Sequence, residues 1–144
     1  MASLELQGFD SLEDAFKRIA EIPFDVTAEA LDGMAEVAAA KIKAQGESMG
    51  VRDPESDVHI LDKIRRNKAK QTASGGYKTI TFSGTRLRGN TRTRNAEIAF
   101  VNEYGKRGQA ARPFIGLAMT QNEEAIQDPA EKIVGDWIES TFKS

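Results

Sequence analysis

The stretch Ala99-Phe100-Val101-Asn102-Glu103-Tyr104-Gly105, followed after a short gap by Ala111-Arg112-Pro113-Phe114-Ile115-Gly116-Leu117-Ala118, decides how the chain is to fold. From Asn95 to Tyr104 the apolar residues alternate, Ile98 and Phe100 on one side and Ala99 and Val101 on the other, which predicts a β-strand. Gly105 predicts a turn that a side chain would obstruct. Gly105 to Arg112 then read as the connection. Pro113 suits the first turn of a helix, where its missing N–H has no partner to lose. Phe114, Ile115, Ala118, Met119 and Asn122 follow along one side of that helix. Glu103 at the strand end comes within reach of Arg112 across the loop. A carboxylate–guanidinium pair there would fix the loop and aim the helix, with Phe114 as its core anchor. No nucleophile or base accompanies Glu103, so the motif reads as structural rather than catalytic.

Toward the C-terminus, Pro129 is expected to kink this helix or to open a new one after Asp128. Ala130, Ile133, Val134, Trp137, Ile138 and Thr141 then form an amphipathic stripe. Toward the N-terminus, Tyr77 to Ser83 alternates, with Ile80 and Phe82 on one face, and predicts the partner strand. Between the strands, Gly84 to Arg94 is basic and rich in Gly, Thr and Asn, and reads as a long flexible hairpin loop. Lys68 to Gly76 is polar and reads as mobile, so the flexible basic region covers about 67–94. Val58 to Arg66 reads as one short helix with Leu61 and Ile64 inward, preceded by a loop from Glu47 to Asp57. A long helix is expected from a cap near Asp25 to Thr27, carrying Leu31, Met34, Ala35, Ala38 and Ile42, and ended by Gly46 and Gly50. Before it, Leu12, Ala15, Phe16, Ile19 and Ile22 form another helix stripe stopped by Pro23. Ser3 to Gln7 suits a short edge strand. The expectation is one α+β domain over 1–144: N-terminal helices, a small antiparallel sheet with a long basic hairpin loop, and a C-terminal amphipathic helix.

Composition narrows the chemistry. The chain has no cysteine, which excludes a disulfide framework, a thiolate metal site and a cysteine nucleophile. One histidine, His59, excludes a histidine-rich metal cluster within one copy. No run approaches the roughly 18 apolar residues of a membrane span, and Met1-Ala2-Ser3-Leu4-Glu5 lacks the basic and apolar regions of a signal peptide. The expected setting is a reducing cytoplasm, with no membrane partner and no cofactor.

The net charge of −2 conceals an asymmetry. Lys63 to Arg94 holds ten of the 20 basic residues and no Asp or Glu, leaving the other ten against all 22 acidic ones. Such a bipolar chain suits head-to-tail contact between copies, or a surface facing a polyanion. Three readings of the basic segment stay open: a solvated loop, an arm contacting DNA phosphates, and an arm reaching an acidic face of a neighbouring subunit. Lys68, Lys70, Arg86, Arg88, Arg92 and Arg94 are the candidate contacts with DNA or a partner protein. Neutralising the four arginines together is expected to leave the fold intact.

The motif Phe100-Val101-Asn102-Glu103-Tyr104-Gly105 with Ala111-Arg112-Pro113-Phe114-Ile115-Gly116-Leu117-Ala118 resembles the gene-product-ten-like tail components of lambda-like long-tailed bacteriophages. That family has an aromatic-Val-x-Glu-aromatic-Gly segment, then Ala-Arg-Pro-Phe and a helix continuing as Leu-x-x-Ala. The resemblance is specific from about Ala99 to Ala118 and extends in layout over the chain. It departs between Val51 and Ile64, where the family's Pro-Val-x-Thr-Gly-x-Leu stretch is missing. It implies a structural virion protein of the head–tail neck, a tail-completion or tail-terminator subunit and not an enzyme. Its copies would form a hexameric ring, assembled in the host cytoplasm, contacting the tail tube protein, head connector proteins and the DNA in the lumen. Glu103, Tyr104, Gly105, Arg112, Pro113 and Phe114 would be its motif and assembly residues. The alternative class is a non-specific nucleic-acid-binding protein using Lys63–Arg94.

Other signals are weaker. His59 near Asp57 suits acid–base chemistry less well than packing. Gly75-Gly76 and Gly84 to Gly89 match no nucleotide-binding loop. Trp137 and Phe142 sit at helical spacing and read as core or subunit packing.

Overall fold

A computed structural model of the chain describes residues 22–51, 59–73 and 75–142. The strand expected over Ser3–Gln7 and the helix expected before Pro23 lie outside these residues. Helix α1 (Phe24–Ser48) begins directly after Pro23. The Pro23 carbonyl, rather than an Asp25 or Thr27 side chain, takes the first amides, from Val26 at 3.1 Å and Thr27 at 3.2 Å. Asp25 instead falls in the first turn, where the helix dipole favours it. At the other end Gly50 adopts φ 71°. The Val51 amide returns to the Gly46 carbonyl at 2.8 Å and the Gly50 amide to that of Glu47 at 3.2 Å. This is a Schellman stop, sealed by buried Val51. Gly46 lies inside the helix for a different reason: a Cβ there would stand 2.5 Å from Leu61 Cδ2.

Where one helix was expected over Val58–Arg66, a short 3₁₀ turn (Ile60–Lys63) gives way to strand β1 (Ile64–Arg66). Ile60 and Leu61 are buried against α1, and the chain must then extend for Ile64 to pair with Phe82. Strands β2 (Lys70–Thr72), β3 (Gly75–Tyr77) and β4 (Ile80–Phe82) complete one long antiparallel ribbon, β1 with β4 and β2 with β3. Asn67, Lys68 and Ala69 separate β1 from β2, but only Lys78 and Thr79 separate β3 from β4, so the pairing shifts by one residue midway, as at a bulge. The Asn67 amide donates to the Thr79 carbonyl at 2.9 Å and joins the two halves. A second ribbon follows, β5 (Thr85–Arg88) with β6 (Thr91–Arg94), turning through Gly89 (φ 65°) and Asn90. The stretches read as loops over Lys68–Gly76 and Gly84–Arg94 are therefore largely strand.

Helices α2 (Asn95–Tyr104), α3 (Phe114–Gln121) and α4 (Glu123–Phe142) complete the α+β chain. The break expected at Pro129 comes at Asn122, whose side-chain amide donates to the Ala118 carbonyl at 2.8 Å while its own carbonyl takes the Ile126 amide at 3.0 Å. Pro129 lies within α4 and packs on Gly33 of α1. Helix α1 is the spine, with α4, α3 and the long ribbon all packed on it. The core joins Ile42, Val51, Ile60, Leu61, Ala99, Phe114 and Ala118. Among the described residues no helix is long and apolar enough to cross a membrane.

Candidate functional site

Asn95–Tyr104 is a helix, not the expected strand. Its buried positions, Asn95 and Ala99, are one turn apart, and Glu103, a further turn on, is half-buried. Phe114 is fully buried and edge-on to Phe82 at 6.0 Å, and Ala99 of α2 is buried in the same cluster. The bulky residues of α2 point outward instead: Phe100 is 61% and Tyr104 69% exposed, their rings 4.7 Å apart.

The motif residues build a joint between α2 and α3. The α2 helix ends at Gly105, whose amide donates to the Val101 carbonyl at 2.8 Å. Gly105 has φ 77° and ψ 177°, and a Cβ there would meet the Gln109 carbonyl oxygen and the Ala111 amide nitrogen, each at 2.9 Å. The expected Glu103–Arg112 pair is replaced by two separate anchors. Glu103 Oε2 accepts the Ile115 amide at 2.8 Å and Oε1 accepts the Gly116 amide at 2.9 Å, so one carboxylate satisfies two orphan donors at the start of α3. Arg112 Nη1 donates to the Gly50 carbonyl at 2.9 Å, tying the loop to the end of α1, and its backbone amide donates to the Asn102 carbonyl at 2.6 Å. The amides at the start of α3 lack intrahelical partners, and the carboxylate supplies two of them while Arg112 turns to the end of α1. Pro113 stands one residue before α3, and its carbonyl takes the Leu117 amide at 3.0 Å.

The basic segment is divided among several structures. Lys78 is largely buried and pairs with Asp32 of α1, pinning the long ribbon. Lys68 and Lys70 are exposed on that ribbon. In the second ribbon, Arg86 Nε donates to Asn95 Oδ1 at 2.9 Å, and Asn95 Nδ2 donates to the Ser83 carbonyl at 2.8 Å. Buried Asn95 thus ties the ribbon's base to α2. Arg92 Nη1 donates to Thr85 Oγ1 at 2.8 Å, and Arg94 pairs with Glu97 at 3.1 Å. Arg88 closes β5. No sequence signal singled out Asn95, Lys78 or the exposed Leu87. Helical four-residue spacing of Asn95, Ala99 and Glu103 would have found the first.

Among the described residues, concavities flank α1. One, of about 630 Å³, lies between Phe24, Thr27 and Leu31, the β2–β3 tip and Val134 of α4, and has no titratable side chain among the described residues of its lining. Another, of about 340 Å³, holds Lys43 and Asp62, paired at 3.3 Å, with Glu36 and Arg66. No motif residue lines either. His59 Nδ1 is buried without a hydrogen-bond partner among the described residues, and Asp57 lies outside them. Among the described residues no three His, Asp or Glu side chains group as metal ligands.

Comparison with protein-family models, with curated proteins and with solved structures gave no match to this chain.

Proposed function

We propose that the protein is a structural subunit of the head–tail neck of a long-tailed bacteriophage, a tail-completion or tail-terminator protein that acts by assembly and not by turnover. The observation that carries this reading is the joint itself. Glu103, Gly105, Arg112, Pro113 and Phe114, the residues of the gene-product-ten-like motif, are all spent on holding α3 against α2 and the end of α1. The same turn of chain leaves Phe100 and Tyr104 on the surface. Rigid joints that display aromatic side chains suit subunit contacts, where Tyr, Phe and Arg concentrate. In this reading copies close into a hexameric ring at the head-proximal end of the tail, and the basic ribbons meet the tail tube, a connector protein or the DNA in the lumen.

Electron microscopy of lysates from a phage or prophage deleted for this gene tests the proposal. Separate DNA-filled heads and tails, or tails of abnormal length, are expected. Normal joined particles would overturn it. A second reading, non-specific nucleic-acid binding, is favoured by the exposure of Lys68, Lys70 and Arg92 in a segment without acidic residues. It predicts that DNA affinity of the isolated chain falls steeply with salt.

A further inference from the structure

The outward face of the β5–β6 ribbon is continuous with the outward face of α2. Directly opposed residues of an antiparallel pair share a face, so Leu87 and Arg92 lie on the same side as Thr85 and Arg94. Arg86, on the other side, is the residue bonded to Asn95. Arg94 bridges from its side to Glu97, and Phe100 and Tyr104 follow Glu97 along α2 at helical spacing. The result is one exposed surface centred on the Phe100–Tyr104 pair, with the paired Arg94 and Glu97 between it and Leu87, which is 66% exposed toward the ribbon tip. Its edges are basic: Arg92 and Arg94 at one end, and exposed Lys106 and Arg107 just past Tyr104 at the other.

Helix α4 carries the opposite chemistry. It holds six acidic residues and one lysine. Glu124, Asp128, Glu131, Gly135 and Glu139 recur every three or four residues along one stripe, and all four carboxylates are exposed. The stripe lies on the far side of the helix from Ile126, Pro129 and Ile133, the residues turned toward α1. Gly135 sits in its midst. The φ there is not positive, and a Cβ would meet no atom within 4 Å among the described residues. Nothing in the packing of the described residues asks for this glycine, which weakens the helix. It leaves a notch in an acidic face.

We infer that the basic, aromatic-centred face of one copy docks on the acidic stripe of α4 of a second copy, with the Phe100–Tyr104 pair over the Gly135 notch. The inference deepens the assembly reading above and rests on it for the presence of many copies. Charge complementarity selects the occupant, because the two surfaces match each other and each repels its own kind. The two patches differ, so the contact is head-to-tail and closes into a ring or extends as a filament.

The absence of cysteine makes the test direct. Full-length Tyr104→Cys and Gly135→Cys proteins, mixed and oxidised at the highest soluble concentration and also within assembled particles, should give a mixed disulfide dimer. Its yield should exceed by about tenfold that of either variant alone. Phe100→Ser with Tyr104→Ser should weaken self-association by sedimentation about tenfold or more without changing the circular dichroism spectrum. High salt should weaken it too. Tyr104→Cys dimerising with itself as readily as with Gly135→Cys would overturn the contact. So would absence of the mixed dimer in both settings. Loss of DNA binding in the double serine variant with self-association intact would assign the face to nucleic acid and also overturn it. A deletion phenotype in the neck without the mixed dimer sinks this contact alone. The mixed dimer with normal joined particles after deletion sinks the neck reading alone.

Discussion

Glu103 and Gly116 meet at close range: the carboxylate Oε1 accepts the Gly116 amide at 2.9 Å, and a Cβ on Gly116 would stand only 3.0 Å from that same oxygen. The carboxylate does from outside α3 what an N-cap side chain does from within, and its second oxygen serves Ile115. Glu103→Ala therefore strands two amides in a half-buried place, and we expect a loss of about 1–3 kcal/mol. Glu103→Gln keeps one acceptor oxygen and should lose less. Urea unfolding at constant m-value measures both. Equal stability of the alanine variant and the parent would show that the joint is not held this way.

Gly105 sits where only glycine is at ease. Its φ of 77° with ψ of 177° belongs to a region that L side chains scarcely enter, and the Gln109 and Ala111 backbones close in on the missing Cβ. Gly105→Ala should cost about 1–3 kcal/mol from conformation alone. The clash adds to this, so its urea midpoint should fall at least as far as that of Glu103→Ala.

The sequence disclosed α1, the β4 strand and the α4 stripe, because in each of these the apolar residues recur with the element's own period and turn inward, in α1 chiefly as alanines with Ile42. It misled at α2, where the rule is inverted. Asn95 and Ala99 face inward, Ala99 into the cluster that Phe114 anchors, while Phe100 and Tyr104 face out. Ile98 and Phe100 on one side, with Ala99 and Val101 on the other, then mimic a strand over a few residues. The β5–β6 ribbon escaped because Leu87 is its lone large apolar side chain, and it is exposed. The Gly89-Asn90 pair between Thr-containing runs was the available hairpin signal. Glu103 was legible as a structural residue but not its partners, because backbone amides carry no mark in a sequence.

Gly33 and Gly135 pose the same substitution in two settings. Both lie in helices, so replacing either with alanine brings the same favourable backbone term of about 0.5–1 kcal/mol. At Gly33 the new Cβ would lie 2.8 Å from Pro129 Cβ, an atom of a rigid ring at the α1–α4 contact. Overpacking there costs about 1–3 kcal/mol, which exceeds the helix gain. Gly135→Ala meets no atom among the described residues and should raise stability. Thermal unfolding of the two variants should therefore shift in opposite directions. A shared direction would refute the close α1–α4 approach.

The arginines of the second ribbon should separate in the same way, against the expectation that all four are neutralised without effect on the fold. Arg86 donates to Asn95 Oδ1, and Asn95 is 1% exposed. Removing the guanidinium leaves an acceptor buried at the junction of the ribbon and α2. Burial of an unsatisfied polar group costs about 1–3 kcal/mol, so Arg86→Ala should destabilise on that scale. Among the described residues Arg92 donates to Thr85 Oγ1 on an exposed face, and Arg92→Ala should stay within about 0.5 kcal/mol of the parent. The pair of variants also separates folding from binding. If Arg92→Ala unfolds as the parent does yet loses association with a partner, the outward face of the ribbon is a contact surface. If Arg86→Ala proves as stable as the parent, Asn95 does not depend on it, and the ribbon's attachment to α2 rests on the Asn95 bond to the Ser83 carbonyl instead.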